Sequence, residues 1–272
     1  MSWWLAAAMG VVQGVTEFLP ISSSAHLRIL PALVGQKDPG ASFTAVIQIG
    51  TILSVLIYFK NDLISISKAT LFGLFRKNLR NKDFKMGLSI IQATLPIIFL
   101  GFFGQDFIKN GARDLYLVAY VMLIFSIVMY VVDKYSKFDT EINELSRFKI
   151  LMLGFAQSLA LIPGFSRSGV TITAARFFGI NRAEAARFSF LLSVPAIVLS
   201  GLYEAIGITN SNDSGWSQTL FAAAVSFVVG YLSIAWLIKW LGNHTLKTFV
   251  IYRIGLALVI IALLNGGIIS NL

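Results

Sequence analysis

Two stretches of this 272-residue sequence place polar side chains inside otherwise apolar runs. The first, residues 13–26, reads Gln-Gly-Val-Thr-Glu-Phe-Leu-Pro-Ile-Ser-Ser-Ser-Ala-His. The second, residues 160–171, reads Ala-Leu-Ile-Pro-Gly-Phe-Ser-Arg-Ser-Gly-Val-Thr. In each, an apolar run leads to a proline and then to a serine-rich helix start. Ionisable groups are costly inside a bilayer, so Glu17, His26 and Arg167 indicate anion chemistry near its middle.

The composition around these stretches is that of a membrane protein. Hydrophobic residues make up 56% of the chain and charged residues only 13%, whereas about a quarter of a soluble domain is charged. A membrane-spanning helix needs roughly 20 mostly apolar residues. Six segments meet or approach this length: 42–59, 86–105, 115–132, 188–206, 214–238 and 254–272. The sequence therefore predicts an all-α polytopic membrane protein with six transmembrane helices.

The net charge of +9 comes from basic residues in the connections beside these spans. That placement is typical of topology signals and of contact with anionic lipid, so we predict a membrane setting and no nucleic-acid partner. Lysines and arginines are frequent in 60–85, 133–149 and 239–253 and sparse in 106–114 and 207–215. The first group is predicted to lie inside and the second outside. The chain has no cysteine, which excludes thiolate metal sites.

With this orientation, the two polar stretches cannot be full spans. Each must return to the side from which it entered, so residues 3–35 and 150–180 are predicted to be re-entrant helical hairpins with Pro20 and Pro163 at their tips. The hairpins would enter from opposite sides, and three spans follow each. We therefore predict one integral membrane domain, residues 1–272, built from an inverted repeat of residues 1–132 and 148–272.

The two hairpin tips are predicted to meet near the middle of the bilayer, and they have the features of a phosphate site. The free N–H groups of a helix N-terminus bind phosphate, and Ser22 or Ser23 can cap the first helix and Ser166 the second. The planar guanidinium of Arg167 is suited to phosphate oxygens. Thr171 lies one helical turn further on. The candidate phosphate-binding residues are Ser22, Ser24, Ser166, Arg167, Ser168 and Thr171.

The first stretch also carries groups that can react. Ser23 and His26 lie three residues apart, so a helix would bring them together, with the serine as nucleophile and the histidine as base. Glu17 can accept a proton, orient His26 or hold a divalent cation. Gln13 and Gln48 are candidates for contact with Glu17. The plainer alternatives are that the serines cap helices and that the histidine is interfacial.

At these residues the chain resembles the bacterial undecaprenyl-diphosphatase, or bacitracin-resistance phosphatase, family. The resemblance covers essentially the whole length and is strongest in residues 17–26, 46–50 and 163–169. It implies hydrolysis of the terminal phosphate of a C55 polyprenyl diphosphate, which yields inorganic phosphate and the monophosphate carrier of cell-wall synthesis. It also implies a bacterial cytoplasmic-membrane location, a site open to the outer face and dependence on a divalent cation, Mg²⁺ or Ca²⁺.

The chain departs from the family pattern at one position. The acidic pair, often Glu-x-x-x-Glu, is here Gln13-x-x-x-Glu17, which leaves Glu17 as the single acidic candidate for a metal. A second function is also open, because inverted repeats and broken helices are typical of transporters, including a flippase for a phosphorylated lipid. An acid-phosphatase-like site is excluded, because Thr173 and Phe177 stand where that pattern needs His and Asp.

Overall fold

The computed structural model describes residues 1–36, 39–76, 81–104, 114–207 and 215–271, and all regular structure in them is helical. Eleven α-helices follow one another in these residues. They are α1 (Trp3–Thr16), α2 (Ser23–Leu33), α3 (Ala41–Tyr58), α4 (Lys60–Arg76), α5 (Lys82–Phe103), α6 (Leu115–Tyr135), α7 (Arg147–Ser158), α8 (Arg167–Phe177), α9 (Arg182–Gly207), α10 (Trp216–Asn243) and α11 (Lys247–Asn265).

The helices confirm a polytopic membrane protein. Four of them, α5, α6, α10 and α11, are long and apolar enough to cross a bilayer, and a fifth span is possible if the bent pair of α3 and α4 is one span. These two helices meet at an angle of 76°. The predicted span 188–206 lies within α9. The predicted outer connections 106–114 and 207–215 fall almost entirely outside the described residues.

Two predicted inner loops are wrong. Most of 60–85 is helical, because apolar side chains recur on one face of α4 and pack on α5: Ile66 is buried in the same core as Met86 and Ile90. The predicted loop 239–253 shrinks to the turn between Asn243 and Lys247, since α10 and α11 both extend into it. Counting charges missed that the backbone continues as helix through most of both segments. The consequence is that residues 247–253 belong to α11.

Both predicted hairpins are broken pairs of helices. In hairpin 1, residues 17–22 separate α1 from α2; in hairpin 2, a 3₁₀ turn and Pro163 separate α7 from α8. The first helix of each hairpin packs closely on a helix of the other half of the chain. A Cβ on Gly10 of α1 would lie 2.5 Å from the carbonyl oxygen of Ala222 on α10, and one on Gly154 of α7 would lie 2.6 Å from that of Ala93 on α5. Glycine is needed at both positions because the backbones touch.

These contacts have the pattern that the inverted repeat requires. Helix α1 packs on α10 while α7 packs on α5, and α3 packs on α9 while α6 packs on α11. A two-fold relation between residues 1–132 and 148–272 would convert the α1–α10 pairing into the α7–α5 pairing. It would map the α3–α9 and α6–α11 pairings onto themselves. The repeat, its boundaries and the depth of the hairpins in the bilayer stay predictions.

Cysteine labelling tests the opposite entry of the hairpins. Gln36 and Asn181 are exposed and follow hairpins 1 and 2, respectively. In intact cells, Gln36→Cys is expected to react with a membrane-impermeant thiol reagent, whereas Asn181→Cys should react only after the membrane is opened. The natural chain has no cysteine, so background labelling is absent. Equal labelling of both positions from the outside would contradict the inverted arrangement.

At the far end of hairpin 2, a buried carboxylate joins several helices. Asp133 of α6 accepts hydrogen bonds from Nε of Arg176 (3.1 Å) and Nε of Arg182 (2.7 Å). It also accepts one from the backbone N–H of Leu246, at 2.9 Å. Arg176 is fully buried, so this charge network lies inside the fold. We call these residues the Asp133 cluster.

Candidate active site

The two hairpin tips touch, as predicted. The hydroxyl of Ser168 in hairpin 2 donates to the carbonyl oxygen of Leu19 in hairpin 1, at 3.2 Å. Arg167 donates from Nη2 to Oε1 of Glu17, at 2.9 Å. The meeting point is thus held by an ion pair and a hydrogen bond that connect residues about 150 positions apart in sequence.

Glu17 is at the centre of the site. It lies just after α1 and is only 7% exposed; the next residue, Phe18, is fully buried and packs edge-on against Phe190 of α9. Oε2 of Glu17 accepts hydrogen bonds from the Ser23 hydroxyl (2.9 Å) and the Gln13 side-chain amide (3.2 Å). A buried carboxylate is tolerated only when it is paired and hydrogen-bonded. Glu17 meets both conditions, and its predicted contact with Gln13 is confirmed.

The second helices of the two hairpins begin in the same way. Ser22 and Ser166 precede them with φ of 77° and 65°, the only positive values among the described non-glycine residues. Such values are uncommon and often mark functional sites. In each tip the hydroxyl of this serine lies 3.2 Å from that of the serine two residues on, Ser24 or Ser168. Ser23 and Arg167 are therefore matching first residues of α2 and α8.

The predicted helix caps are confirmed at one tip only. Ser166 accepts a hydrogen bond on its hydroxyl oxygen from the backbone N–H of Gly169, at 3.2 Å. Ser22 occupies the corresponding place before α2, but its side chain makes no capping bond. Ser23 is the first helical residue rather than the cap, and its hydroxyl turns back to Glu17. The N-terminus of α2 therefore keeps free N–H groups at the point where the tips meet.

His26 is not placed as predicted. Its Nδ1–H donates to the carbonyl oxygen of Ser22 (2.7 Å), and its Nε2 accepts from the hydroxyl of Tyr252 on α11 (2.7 Å). The rings of His26 and Tyr252 are stacked, 5.6 Å apart. The predicted Ser23–His26 pair is therefore not formed, because Ser23 points towards the tip and His26 towards α11. In this arrangement His26 holds the positive-φ turn at Ser22.

Two other predicted residues make no hydrogen bond with Glu17 in the described structure. Thr171 is fully buried, donates to the carbonyl oxygen of Arg167 (2.8 Å) and contacts the hydroxyl of Ser189 on α9. It faces a neighbouring helix and has no free donor for phosphate. Gln48 is half-buried on α3 and makes no hydrogen bond with Glu17 in the described part of the chain. Thr171 was placed by its spacing along the sequence, which does not show which helix face is covered.

Comparisons with known proteins identify the family of this chain. Residues 6–259 match the family described as bacitracin resistance protein BacA. The chain belongs to this family. Among curated relatives, the undecaprenyl-diphosphatase of Corynebacterium efficiens is 46% identical over 273 residues, which cover 99% of this chain and 93% of the relative. Proteins of the same name from Nocardioides sp. and Renibacterium salmoninarum are 43% and 44% identical, over at least 97% of both chains.

Sequence reasoning missed one charged residue of this BacA-family site. Arg253 is fully buried on α11 and donates from Nη2 to the carbonyl oxygen of Gly164 in hairpin 2, at 2.8 Å. Its Nε donates to the hydroxyl of Ser126, at 3.1 Å. It was overlooked because 239–253 was taken for a loop. The signal was present, since a lone arginine followed by an apolar run of helical length is unusual.

Two guanidinium groups at the tips each have a nitrogen donor without a hydrogen-bond acceptor among the described residues. Nη1 of Arg167 and Nη1 of Arg253 are buried and lack a hydrogen-bond partner among the described residues. Buried donors are almost always satisfied, so each such group needs an explanation. In the described structure, Glu17 is the one carboxylate that lies at the tips beside these two arginines. An anionic ligand rich in acceptor oxygens would satisfy both donors and balance the charge.

Among the described residues, the tips offer a metal ion only one carboxylate, that of Glu17. Within the described ranges no three His, Cys, Asp or Glu side chains cluster, and the neighbour of Glu17 one turn earlier is the amide of Gln13 and not a second carboxylate. Both oxygens of Glu17 already accept hydrogen bonds. Mg²⁺ is often bound by one or two carboxylates together with substrate phosphates. The donor set therefore fits a cation only if the cation is shared between Glu17 and a bound diphosphate.

Proposed function

We propose that this membrane protein hydrolyses undecaprenyl diphosphate at its terminal phosphate, releasing inorganic phosphate and the C55 monophosphate lipid. Membership of the BacA family and the names of the relatives support this activity. The observation that carries it is the buried cluster in which Ser23 and Arg167, the first residues of two broken helices, both bind Glu17. The cluster brings together a nucleophile (Ser23), a base (Glu17) and a positively charged side chain that can bind phosphate (Arg167).

In the first step, the terminal phosphoryl group is transferred to the enzyme. Ser23 Oγ attacks the terminal phosphorus while its proton passes to Glu17, to which it is already hydrogen-bonded. The bond from phosphorus to the bridging oxygen breaks, and its electron pair leaves with the polyprenyl monophosphate. Glu17 then gives the proton to this leaving group. The structure favours Glu17 over His26 as base, because the Ser23 hydroxyl points at the carboxylate.

In the second step, water releases the phosphoryl group from Ser23. Glu17 takes a proton from the water as the water attacks phosphorus, the Ser23 Oγ–P bond breaks with its electron pair on Oγ, and Glu17 then returns the proton to Oγ to restore the serine. Arg167 keeps Nη2 on Glu17 and donates through its unpaired Nη1 to the phosphate oxygens in both steps, and it stabilises their charge together with the free N–H groups of α2. Arg253 adds a second donor. The alternative is direct attack by water on the diphosphate, with Ser23 as a hydrogen-bond donor only.

A divalent cation, Mg²⁺ or Ca²⁺, would reach this site as part of the diphosphate complex, with Glu17 as its one carboxylate. When bound, it would neutralise charge on the phosphate oxygens. We also propose that the protein lies in the bacterial cytoplasmic membrane and that the site opens to the outer face. The orientation derived from the loop charges supports the membrane topology, and the family resemblance supports the open side.

Phosphate release from purified protein tests the function against the transporter alternative. In detergent there is no membrane across which a lipid could be moved, so phosphate release reports hydrolysis alone. A pure flippase would release no phosphate. We expect release of inorganic phosphate from undecaprenyl diphosphate, and expect it to be lost in Glu17→Gln prepared in the same way. The variant serves as the control for contaminating phosphatases. No release by the natural protein, with substrate movement across vesicles intact, would favour the transporter.

Restoring the family's second carboxylate should change the metal dependence. Gln13→Glu would place another carboxylate beside Oε2 of Glu17, where the amide now lies at 3.2 Å. Two adjacent carboxylates repel each other unless a cation is shared between them. We therefore expect half-maximal activity at a lower Mg²⁺ concentration, and a lower melting temperature without Mg²⁺. Gln48→Glu, outside this contact, should not lower the Mg²⁺ concentration needed for half-maximal activity. An unchanged Mg²⁺ requirement in Gln13→Glu would place the cation away from Glu17.

A further inference from the structure

A cavity lies at the far end of hairpin 2. It has a volume of about 720 Å³ and is lined by the end of α6, the loop that follows it, Lys149 of α7 and residues 177–179 at the end of α8. Helix α8 starts with Arg167, so the cavity is roughly 15 Å from the catalytic cluster at 1.5 Å per residue. Its volume is in the range of small-molecule sites. None of its lining residues takes part in the proposed phosphatase chemistry.

One wall of the cavity is apolar and faces the bilayer. Val131 and Tyr135 belong to α6, one of the helices long enough to span a membrane, and both are exposed. Phe177, at the end of α8, is 67% exposed. Exposed aromatic side chains at the end of a span are typical of the boundary between hydrocarbon and headgroups. The cavity therefore straddles this boundary.

The other wall is positively charged. Lys137 and Lys149 line the cavity and are exposed. Asp139 is the one carboxylate in the lining, and it accepts a hydrogen bond from the Thr140 hydroxyl at 3.1 Å. Behind this wall is the Asp133 cluster, in which two guanidinium groups share one carboxylate. Positive charge is therefore in excess around the cavity, and a ligand should be an anion.

The cavity is built into the fold. The loop after α6 is held against the end of α8 by a hydrogen bond from the backbone N–H of Thr140 to the carbonyl oxygen of Gly179, at 3.4 Å. Gly179 has φ of +91°, and a Cβ there would lie 2.7 Å from a carboxylate oxygen of Asp139. Glycine is required by both the backbone angle and the close approach. The walls are thus fixed before a ligand binds.

We propose that this cavity binds the phosphate headgroup of an anionic glycerophospholipid, with an acyl chain along Val131 and Val132. Lys137 and Lys149 would bind the phosphate, and the exposed aromatics would contact the glycerol and upper acyl region. Basic pockets between membrane helices on the inner side bind such headgroups. The predicted orientation places this end of α6 on the inner side, where the basic connection 133–149 follows it.

Lipid exchange in nanodiscs tests the proposal. The full-length protein is placed in phosphatidylcholine nanodiscs, and its melting temperature is measured as phosphatidylglycerol is introduced. A ligand that binds only the folded state raises the melting temperature, so we expect a rise for the natural protein. In Lys137→Gln/Lys149→Gln most of that rise should be lost. Both lysines are exposed, so the variant should fold as the natural protein does.

A matched variant separates the site from general surface charge. Lys239→Gln/Lys247→Gln removes two exposed lysines on the same predicted side but outside the cavity, and should keep the full rise. Equal rises in the two double variants, or no rise in the natural protein, would overturn the proposal. A full rise with water-soluble glycerophosphate alone would also overturn it, because the ligand would then be a free anion. Phosphatase activity is not measured, so failure here leaves the proposed function unaffected.

A photoreactive residue locates the bound lipid. Phe177→p-benzoylphenylalanine should cross-link phosphatidylglycerol in preference to phosphatidylcholine. The same substitution at Phe102, an exposed aromatic on α5 away from the cavity, should cross-link both lipids in proportion to their amounts. Proportional labelling at Phe177 as well would show that the cavity does not select an anionic lipid.

Discussion

Arg167→Lys is expected to lower kcat by about 100-fold although the charge is retained, the loss typical of removing a well-placed donor to a reacting oxyanion. The arginine donates through Nη2 to Glu17 and keeps Nη1 unpaired. A planar guanidinium can therefore hold Glu17 and phosphate oxygens together, whereas an ammonium is a point charge without this fork. Steady-state phosphate release gives kcat and KM separately.

The matched control is Arg147→Lys. Arg147 is exposed at the start of α7, far from the tip in sequence, and its replacement should leave turnover unchanged. If Arg167→Lys kept near-normal turnover, charge alone would be what the site needs. If its KM rose with kcat unchanged, Arg167 would bind the diphosphate equally in the ground state and the transition state.

Ser23→Ala is expected to have the largest effect, a loss of kcat on the order of 10⁴-fold, as when one member of a catalytic unit is removed. The substitution deletes the proposed nucleophile and leaves Oε2 of Glu17 with only the Gln13 amide. Arg167 and the helix N-termini would still bind the diphosphate. We therefore expect substrate binding to persist while turnover is lost.

The adjacent serine provides the control for this prediction. Ser24 is exposed, and its hydroxyl contacts that of Ser22 at 3.2 Å and not Glu17. Ser24→Ala should therefore lose far less activity than Ser23→Ala, although both remove one hydroxyl from the same turn. Equal losses in the two variants would show that the serines act together in shaping the tip, and that Ser23 has no special chemical role.

Much of this fold could be predicted from sequence because bilayer physics leaves strong signals. Long apolar runs marked the spans, and Pro20 and Pro163 marked the breaks, since proline ends a helix and the backbone freed there must find partners. Arg167 stood out for the same reason, because an arginine inside an apolar segment needs an anion. The contact between the tips followed from these signals, and the structure confirms it.

What sequence could not supply was the partner of each side chain across the fold. His26 is bound by Tyr252, 226 residues away, and no local spacing predicts that contact. Thr171 was placed at the site by helical periodicity, but the face it shares is covered by α9. Arg253 was hidden by a wrong helix boundary. These errors have the same cause. The residue type is visible in the sequence, but the neighbours of the side chain are set by tertiary packing.

The central claim is that Ser23 attacks phosphorus with Glu17 as its base, and stereochemistry tests it most directly. The substrate is undecaprenyl diphosphate whose terminal thiophosphate is made chiral with a heavy oxygen isotope, hydrolysed in isotopically labelled water. Two successive in-line displacements, through a phosphorylated Ser23, predict retention of configuration in the released thiophosphate. Inversion would show a single displacement by water and would contradict the assignment of Ser23 as the nucleophile.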